Sequence, residues 1–220
     1  MKQELKYVKD QDGNVKYATV DLTDSTDFNE LEALSEGINY TIYLIPEDVQ
    51  TEFNNDGWLV NAKGVNTKNI WQFVNGWAMP YECFVNGFPF PVKMEDMWES
   101  DTKVEEMNVE ELEWVLDIPW WTTDEIIAYN LKPKTVLENI DMYPNHRERI
   151  YNSDTQYPLL LERTKQNRWL IYDGVHRFVK QLIEGNKTVT VQKFSMEDMD
   201  KYIYDVDRER FEEWKRLEYR

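Results

Sequence analysis

The sequence predicts an α+β protein, and three observations carry that prediction. Short apolar or β-branched runs, each of strand length and bounded by turn-forming residues, recur from Leu5 to Val191. One stretch instead spaces Val175, Phe178, Val179, Leu182 and Ile183 at i, i+3, i+4, i+7 and i+8, the stripe of a helix lying on a core. Hydrophobic residues make up 41% and aromatics 14% of 220 residues, enough for one domain of fair size or a core domain with an elaborate extension.

Taken in order, Leu5 to Lys9 and Val15 to Leu22 read as strands around the turn Asp10-Gln11-Asp12-Gly13-Asn14, a hairpin. Ser25 or Thr26 is placed to cap a short helix that runs through Leu34 and stops at Gly37, and Tyr40 to Ile45 alternates as a further strand. Gly57 to Pro91 is aromatic and turn-rich, and Phe73-Val74-Asn75-Gly76 recurs as Phe84-Val85-Asn86-Gly87, which predicts two Asn-Gly turns. Trp58, Trp71, Trp77, Phe84, Phe88 and Phe90 read first as the packing of a small β-rich core and second as a ring-lined cleft for a base, a sugar or a partner. Residues 1–104 thus form an acidic, aromatic-rich N-terminal extension of α/β character.

Residues 105–200 form the predicted core. Val109 to Leu116 has strand or short-helix character, and Trp120-Trp121 followed by Thr122-Thr123-Asp124-Glu125 predicts a helix start with a threonine cap and acids in the first turn. Pro144 to Ile150 opens another helix. Tyr157 to Leu161 is a buried strand, and Thr164 to Asn167 turns it into a second strand over Trp169 to Tyr172. Asp173-Gly174 ends that strand, the striped helix follows at once, Lys187 to Val191 alternates as a strand, and Ser195 starts a short helix. Residues 201–220 close the chain with a charged helix whose narrow stripe is Phe211, Trp214 and Leu217.

The chemistry-bearing residues gather at the Asp173-Gly174 turn. Asp173 sits where an N-cap accepts the first free amide protons, and His176, Arg177 and Lys180 are left off the apolar stripe. Gly174 lets a ligand approach the backbone, so cationic donors at the positive end of a helix describe an anion site, most naturally for phosphate. A merely solvated basic face would account for the helix alone. Charge distribution favours the anion site, because Pro144 to Phe194 holds nine Lys or Arg against five Asp or Glu while the rest holds 16 against 37. Asp154 precedes one strand of an antiparallel pair and Asp173 ends the other, so Asp154, Asp173 and His176 are expected to converge on one pocket as its catalytic groups.

Three elements occur in sequence: His146-Arg147-Glu148-Arg149-Ile150, then Asp154-Thr155-Gln156-Tyr157-Pro158, then Asp173-Gly174-Val175-His176-Arg177-Phe178-Val179-Lys180. In their order and spacing the segment from about Leu131 to Phe194 resembles the ParB/sulfiredoxin superfamily, and within it a small ParB-like bacterial and phage group. The resemblance covers roughly a third of the chain and implies a core of a small mixed sheet with packed helices. It also implies that the turn and helix start hold nucleotide phosphates, as they hold CTP in ParB, ATP in sulfiredoxin and ADP in an archaeal free-serine kinase. By position Gly174, His176 and Arg177 inherit that role, with Lys180 one turn further on and His146 and Arg149 from the first element. A magnesium ion carried by the nucleotide would fall to Asp154, whereas a zinc site lacks any supporting His or Cys spacing. Sulfiredoxins place their reactive cysteine where Val175 stands, which removes sulfinic acid reduction.

A net charge of -17 argues against binding a nucleic-acid backbone, which depends on neutralising phosphates with Lys and Arg, and makes a nuclease a poor reading. One cysteine, Cys83, and an N-terminus without an apolar leader predict a cytoplasmic protein, in a bacterial cell or an infected host, with no membrane span. The leading expectation is a nucleotide-dependent phosphotransferase or nucleotide hydrolase. The alternative is a non-catalytic nucleotide sensor, or an acidic module that meets a basic protein surface or imitates DNA.

Overall fold

The computed structural model describes residues 3–74, 76–80, 90–123, 126–165 and 167–217, with the backbone alone at 68, 77, 126–130 and 206. Contacts divide the chain into two compact units, Met1–Val85 with Pro89–Val92 and Ile203–Arg220, and Asn86–Phe88 with Lys93–Tyr202.

In the first unit β1 (Lys6–Lys9) and β2 (Val15–Asp21) form the expected antiparallel hairpin. Asp10 Oδ1 organises its turn by accepting from the backbone N–H groups of Asp12 and Asn14 at 2.9 and 2.8 Å. Helix α1 (Phe28–Ser35) is capped by Asp27, whose Oδ1 accepts from Glu30 N–H at 3.1 Å. Thr26 is unavailable as the cap because its hydroxyl accepts from Thr23 N–H at 2.9 Å. Strand β3 (Thr41–Ile45) runs parallel to β2, and β4 (Gln50–Phe53) pairs with β5 (Leu59–Lys63) as a separate hairpin. β6 (Trp71–Val74) and β7 (Trp77–Pro80) close the five-stranded order β1-β2-β3-β6-β7, with Val74 opposite Trp77 across the first predicted Asn-Gly turn. Trp58, Trp71 and Phe90 are buried, so these three serve as core, the first of the two readings of this stretch. The second Asn-Gly turn, Phe84, Phe88 and Cys83 lie outside the described residues.

The second unit begins with α2 (Met94–Trp98) and β8 (Val104–Asn108). Val109 to Asp117 follows as two short 3-10 turns, and then β9 (Trp121–Thr123) pairs antiparallel with β10 (Ile126–Leu131). The helix expected to start at Trp120-Trp121 is therefore a strand. An aromatic followed by two β-branched threonines fits a pleated surface better than a helix interior, and that preference outweighs the capping pattern. Helices α3 (Pro133–Glu138) and α4 (Pro144–Asn152) both start with a proline, whose missing N–H costs nothing in a first turn.

The hairpin of β11 (Leu159–Arg163) and β12 (Trp169–Asp173) leads into α5 (Val175–Ile183), and β13 (Thr188–Phe194) returns parallel to β11. The sheet order is β12-β11-β13-β8, a small mixed sheet in an α+β chain. α5 presses Phe178 and Val179, both fully buried, into the core, and α4 packs beside it. α6 (Met196–Met199) follows with a capping box between Ser195 and Asp198. The charged segment after it contributes α7 (Arg208–Lys215) to the first unit, where Phe211 and Trp214 pack edge-on against Phe90. Among the described residues no helix is long and apolar enough to cross a membrane.

Candidate functional site

The site is built where β12 turns into α5. Gly174 adopts φ +105°, and a Cβ there would meet Leu159 Cδ2 at 2.8 Å and Arg177 Nη2 at 2.9 Å, so both the backbone angle and the space require glycine. Asp173 does not cap the helix as the sequence suggested. Its Oδ2 accepts from Arg177 Nη2 at 2.9 Å and from Trp98 Nε1 at 3.4 Å, which turns the carboxylate away from the first amides. Gly174 is the N-cap and offers no side chain; its carbonyl accepts from Phe178 N–H at 2.9 Å. The N–H groups of Val175, His176 and Arg177 are left without a partner among the described residues, at the positive end of a nine-residue helix.

Two histidines from different helices meet beside this helix end. His146 of α4, 6% exposed, places Nε2 2.8 Å from the Thr122 carbonyl oxygen and Nδ1 3.2 Å from Nε2 of His176. Because a carbonyl only accepts, His146 carries its proton on Nε2, and its Nδ1 is the acceptor for the His176 Nε2–H. In the neutral pair the lone pair of His176 is therefore on Nδ1. The two rings lie within 11° of coplanar, and Trp121 stacks on both, at centroid distances of 4.7 Å to His146 and 4.3 Å to His176. Burial, then the charge of Arg149, then His146 push the His176 pKa down from 6.5 to about 3. His176 is thus neutral at physiological pH.

These groups line a cavity of about 640 Å³. Of the residues singled out in the sequence, Gly174, His176, Arg177, His146, Arg149 and Asp173 line it. Arg149 is exposed and has no hydrogen-bond or ion-pair partner among the described residues, which makes it the cation free to meet a ligand. Arg177 is committed to Asp173 and to the Pro158 carbonyl at 3.2 Å, although its Nε is buried and unpartnered. Lys180 lies elsewhere: its Nζ donates to the carbonyls of Tyr151 and Ser153 at 3.0 and 2.8 Å, at the C-terminal end of α4. Orphan carbonyls of a helix end claim it.

Asp154 is also outside the cavity lining. It is exposed, and its Oδ1 accepts from Gln156 N–H at 2.9 Å in a turn. No group of three or more metal-binding side chains occurs among the described residues, and Asp173, the carboxylate among the lining residues, is already paired. The cavity lining thus offers N–H donors and the Arg149 cation, and Asp154 does not belong to it. Trp121 and the Thr122 carbonyl were not read as site groups from the sequence. The Trp120-Trp121 pair was the available signal, and its assignment to a helix start hid it. No protein-family model, curated protein or solved structure matches the chain.

Proposed function

We propose that the protein binds a nucleotide di- or triphosphate through its phosphates in this cavity, and acts as a phosphotransferase or nucleotide hydrolase. The observation that carries the reading is the uncapped N-terminus of α5 opening on a cavity that also holds the unpaired Arg149. Backbone N–H groups of Val175, His176 and Arg177 donate to phosphate oxygens, and Arg149 offsets charge that develops on transfer. His176 Nδ1 takes the proton of the attacking hydroxyl or water as the new P–O bond forms and the bond to the leaving nucleotide breaks.

An empty-site pKa near 3 makes His176 a poor base until the ligand arrives. A bound phosphate neutralises Arg149 and adds negative charge beside the ring, and both raise the pKa. The same low value supports a second reading, a sensor that binds nucleotide without turning it over. Thermal shift against ATP, ADP, CTP, GTP and inorganic phosphate, each with and without magnesium, tests both. A ligand at about 100 times its Kd adds roughly 2.7 kcal/mol of stability. The expected result is a rise with at least one nucleotide that Arg149→Ala abolishes; no rise with any of them refutes the proposal. Turnover of the bound nucleotide separates enzyme from sensor.

A further inference from the structure

The two histidines of the chain bring four ring nitrogens together, and three of them are engaged. His146 Nε2 donates to the Thr122 carbonyl, and His146 Nδ1 accepts from His176 Nε2. The fourth nitrogen, His176 Nδ1, has no partner among the described residues and is not buried. Its ring lines the cavity of about 640 Å³, so its lone pair is open to whatever the cavity holds. Nδ1 is the ring nitrogen nearer the main chain and His176 is the second residue of α5, so the lone pair belongs to the helix turn whose N–H groups are uncovered. Trp121, itself 5% exposed, stacks on the ring at 4.3 Å and fixes its plane. Arg149 is near enough for its charge to depress the His176 pKa.

A direct transfer to a hydroxyl needs a group basic enough to take the proton. Asp173, the carboxylate among the described lining residues, is paired with Arg177, and a ring with a pKa of about 3 is a weak base. Attack on phosphorus by the ring nitrogen asks less of its basicity, because the transition state of phosphoryl transfer is loose and the bond to the attacking atom is barely formed.

We propose that His176 is a phosphorylation site, whose Nδ1 takes the terminal phosphoryl group of a nucleoside triphosphate and carries it as a phosphohistidine. The Nδ1 lone pair forms the N–P bond as the P–O bond to the leaving nucleoside diphosphate breaks, and the pair of that bond departs with the diphosphate oxygen. The ring becomes cationic and keeps its proton on Nε2, in the hydrogen bond to His146 Nδ1. In a second step a hydroxyl or water attacks phosphorus, the N–P pair returns to Nδ1, and the proton of the attacking group ends on the freed Nδ1. The proposal rests on the phosphate reading of this cavity and replaces its single transfer by two steps, with the proton reaching Nδ1 in the second. His146 has no nitrogen left to attack with, so the choice between the two histidines is itself a prediction.

The test treats the full chain with ATP, CTP and GTP labelled in the γ-phosphate, each with magnesium, and separately with phosphoramidate, a phosphoryl donor that needs no nucleotide site. The expected product carries about one phosphate per chain, as a covalent intermediate does. Its N–P bond is hydrolysed by acid and survives hydroxide, and peptide mass spectrometry places it on His176 with none on His146. Arg149→Ala should slow labelling by a nucleotide about a hundredfold, as loss of charge stabilisation in the transition state does. His176→Gln should abolish labelling with circular dichroism unchanged, and mapping in the parent decides the matter where that variant does not fold. A short-lived intermediate leaves little label, so exchange of labelled nucleoside diphosphate into the matching triphosphate is measured alongside. Label on His146 as readily as on His176 overturns the proposal. So does the absence of both label and exchange with a nucleotide that raises the thermal midpoint, and nucleotide binding then stands by itself. If phosphoramidate labels His176 and no nucleotide raises the midpoint, the nucleotide reading falls and the phosphohistidine stands with another donor. No label from any donor and no nucleotide binding removes both.

Discussion

The His146–His176 pair gives the chain a pH dependence of stability that can be worked out in advance. His176 has an ordinary value of 6.5 and a folded value of about 3, so as pH falls the unfolded chain takes up the proton first. The contribution is complete above pH 6.5 and is lost as pH falls toward 3. Each pH unit inside that window is worth about 1.4 kcal/mol for one proton, and integration from pH 7 to pH 5 gives a loss of about 2 kcal/mol. The figure is insensitive to the folded value, because at pH 5 the folded state is unprotonated whether that value is 3 or 4. At a urea slope of about 2 kcal/mol/M the midpoint should fall by about 1 M. The assay is urea unfolding at pH 7, 6 and 5 of the parent and of His176→Gln, which keeps a side-chain N–H donor near His146 Nδ1. Taking the difference between the two proteins cancels the carboxylates, which titrate identically in both. A parallel NMR titration should show the His176 ring resonances unmoved from pH 7 to pH 5. Equal pH slopes in parent and variant, or a ring that titrates near pH 6, would refute the reasoning.

Further expectations follow from the same geometry. Gly174→Ala places a methyl group against the Arg177 guanidinium in a left-handed backbone, and should cost about 1–2 kcal/mol of strain plus part of the Arg177–Asp173 ion pair. In an Arg177→Ala background the cost should drop to the backbone strain and the Leu159 contact; additive effects in a double-mutant cycle read by urea unfolding would contradict this. Lys180→Met removes two donors from the end of α4 and should destabilise by about 1–2 kcal/mol while phosphate affinity stays within twofold, and a large loss of affinity would return Lys180 to the site. Arg149→Ala should leave urea stability within about 0.5 kcal/mol, as expected of an exposed side chain without partners, and weaken phosphate at least tenfold by calorimetry.

Much of the fold was legible because its signals are local. The β1–β2 hairpin, the β11–β12 hairpin with its turn at Thr164 to Asn167, and α5, whose stripe buries Phe178 and Val179 but leaves Ile183 exposed, are each fixed by residues close together in sequence. The failures are of two kinds. At Trp121 to Thr123 two local rules conflicted, and the β-forming side chains prevailed because the strand has a partner in β10. At Ser25, Thr26 and Asp173 the residue types were right for capping, and a nearer hydrogen bond took each group. The place of α7 in the first unit depends on Phe90 and Trp58, more than a hundred residues away in sequence, and no local pattern encodes it.

The site shows the same division more sharply. Helical spacing correctly puts His176, Arg177 and Lys180 near one another on α5, since i+3 and i+4 neighbours share a face. Spacing does not say which orphaned groups lie within reach, and that is what decides their roles. Lys180 is long enough to reach the bare carbonyls at the end of α4 and is spent there. Arg177 is spent on the carboxylate that was expected to cap its own helix. Removing those two cations leaves Arg149, on a different helix, as the unpaired charge, and leaves the α5 amides uncovered because Asp173 has turned away. The anion site we propose therefore draws on a different set of donors from the one the sequence suggested. In a chain of net charge -17, short-range hydrogen bonds are the contacts suited to hold a phosphate. Backbone N–H groups supply such bonds without adding a side chain that the surrounding carboxylates could capture.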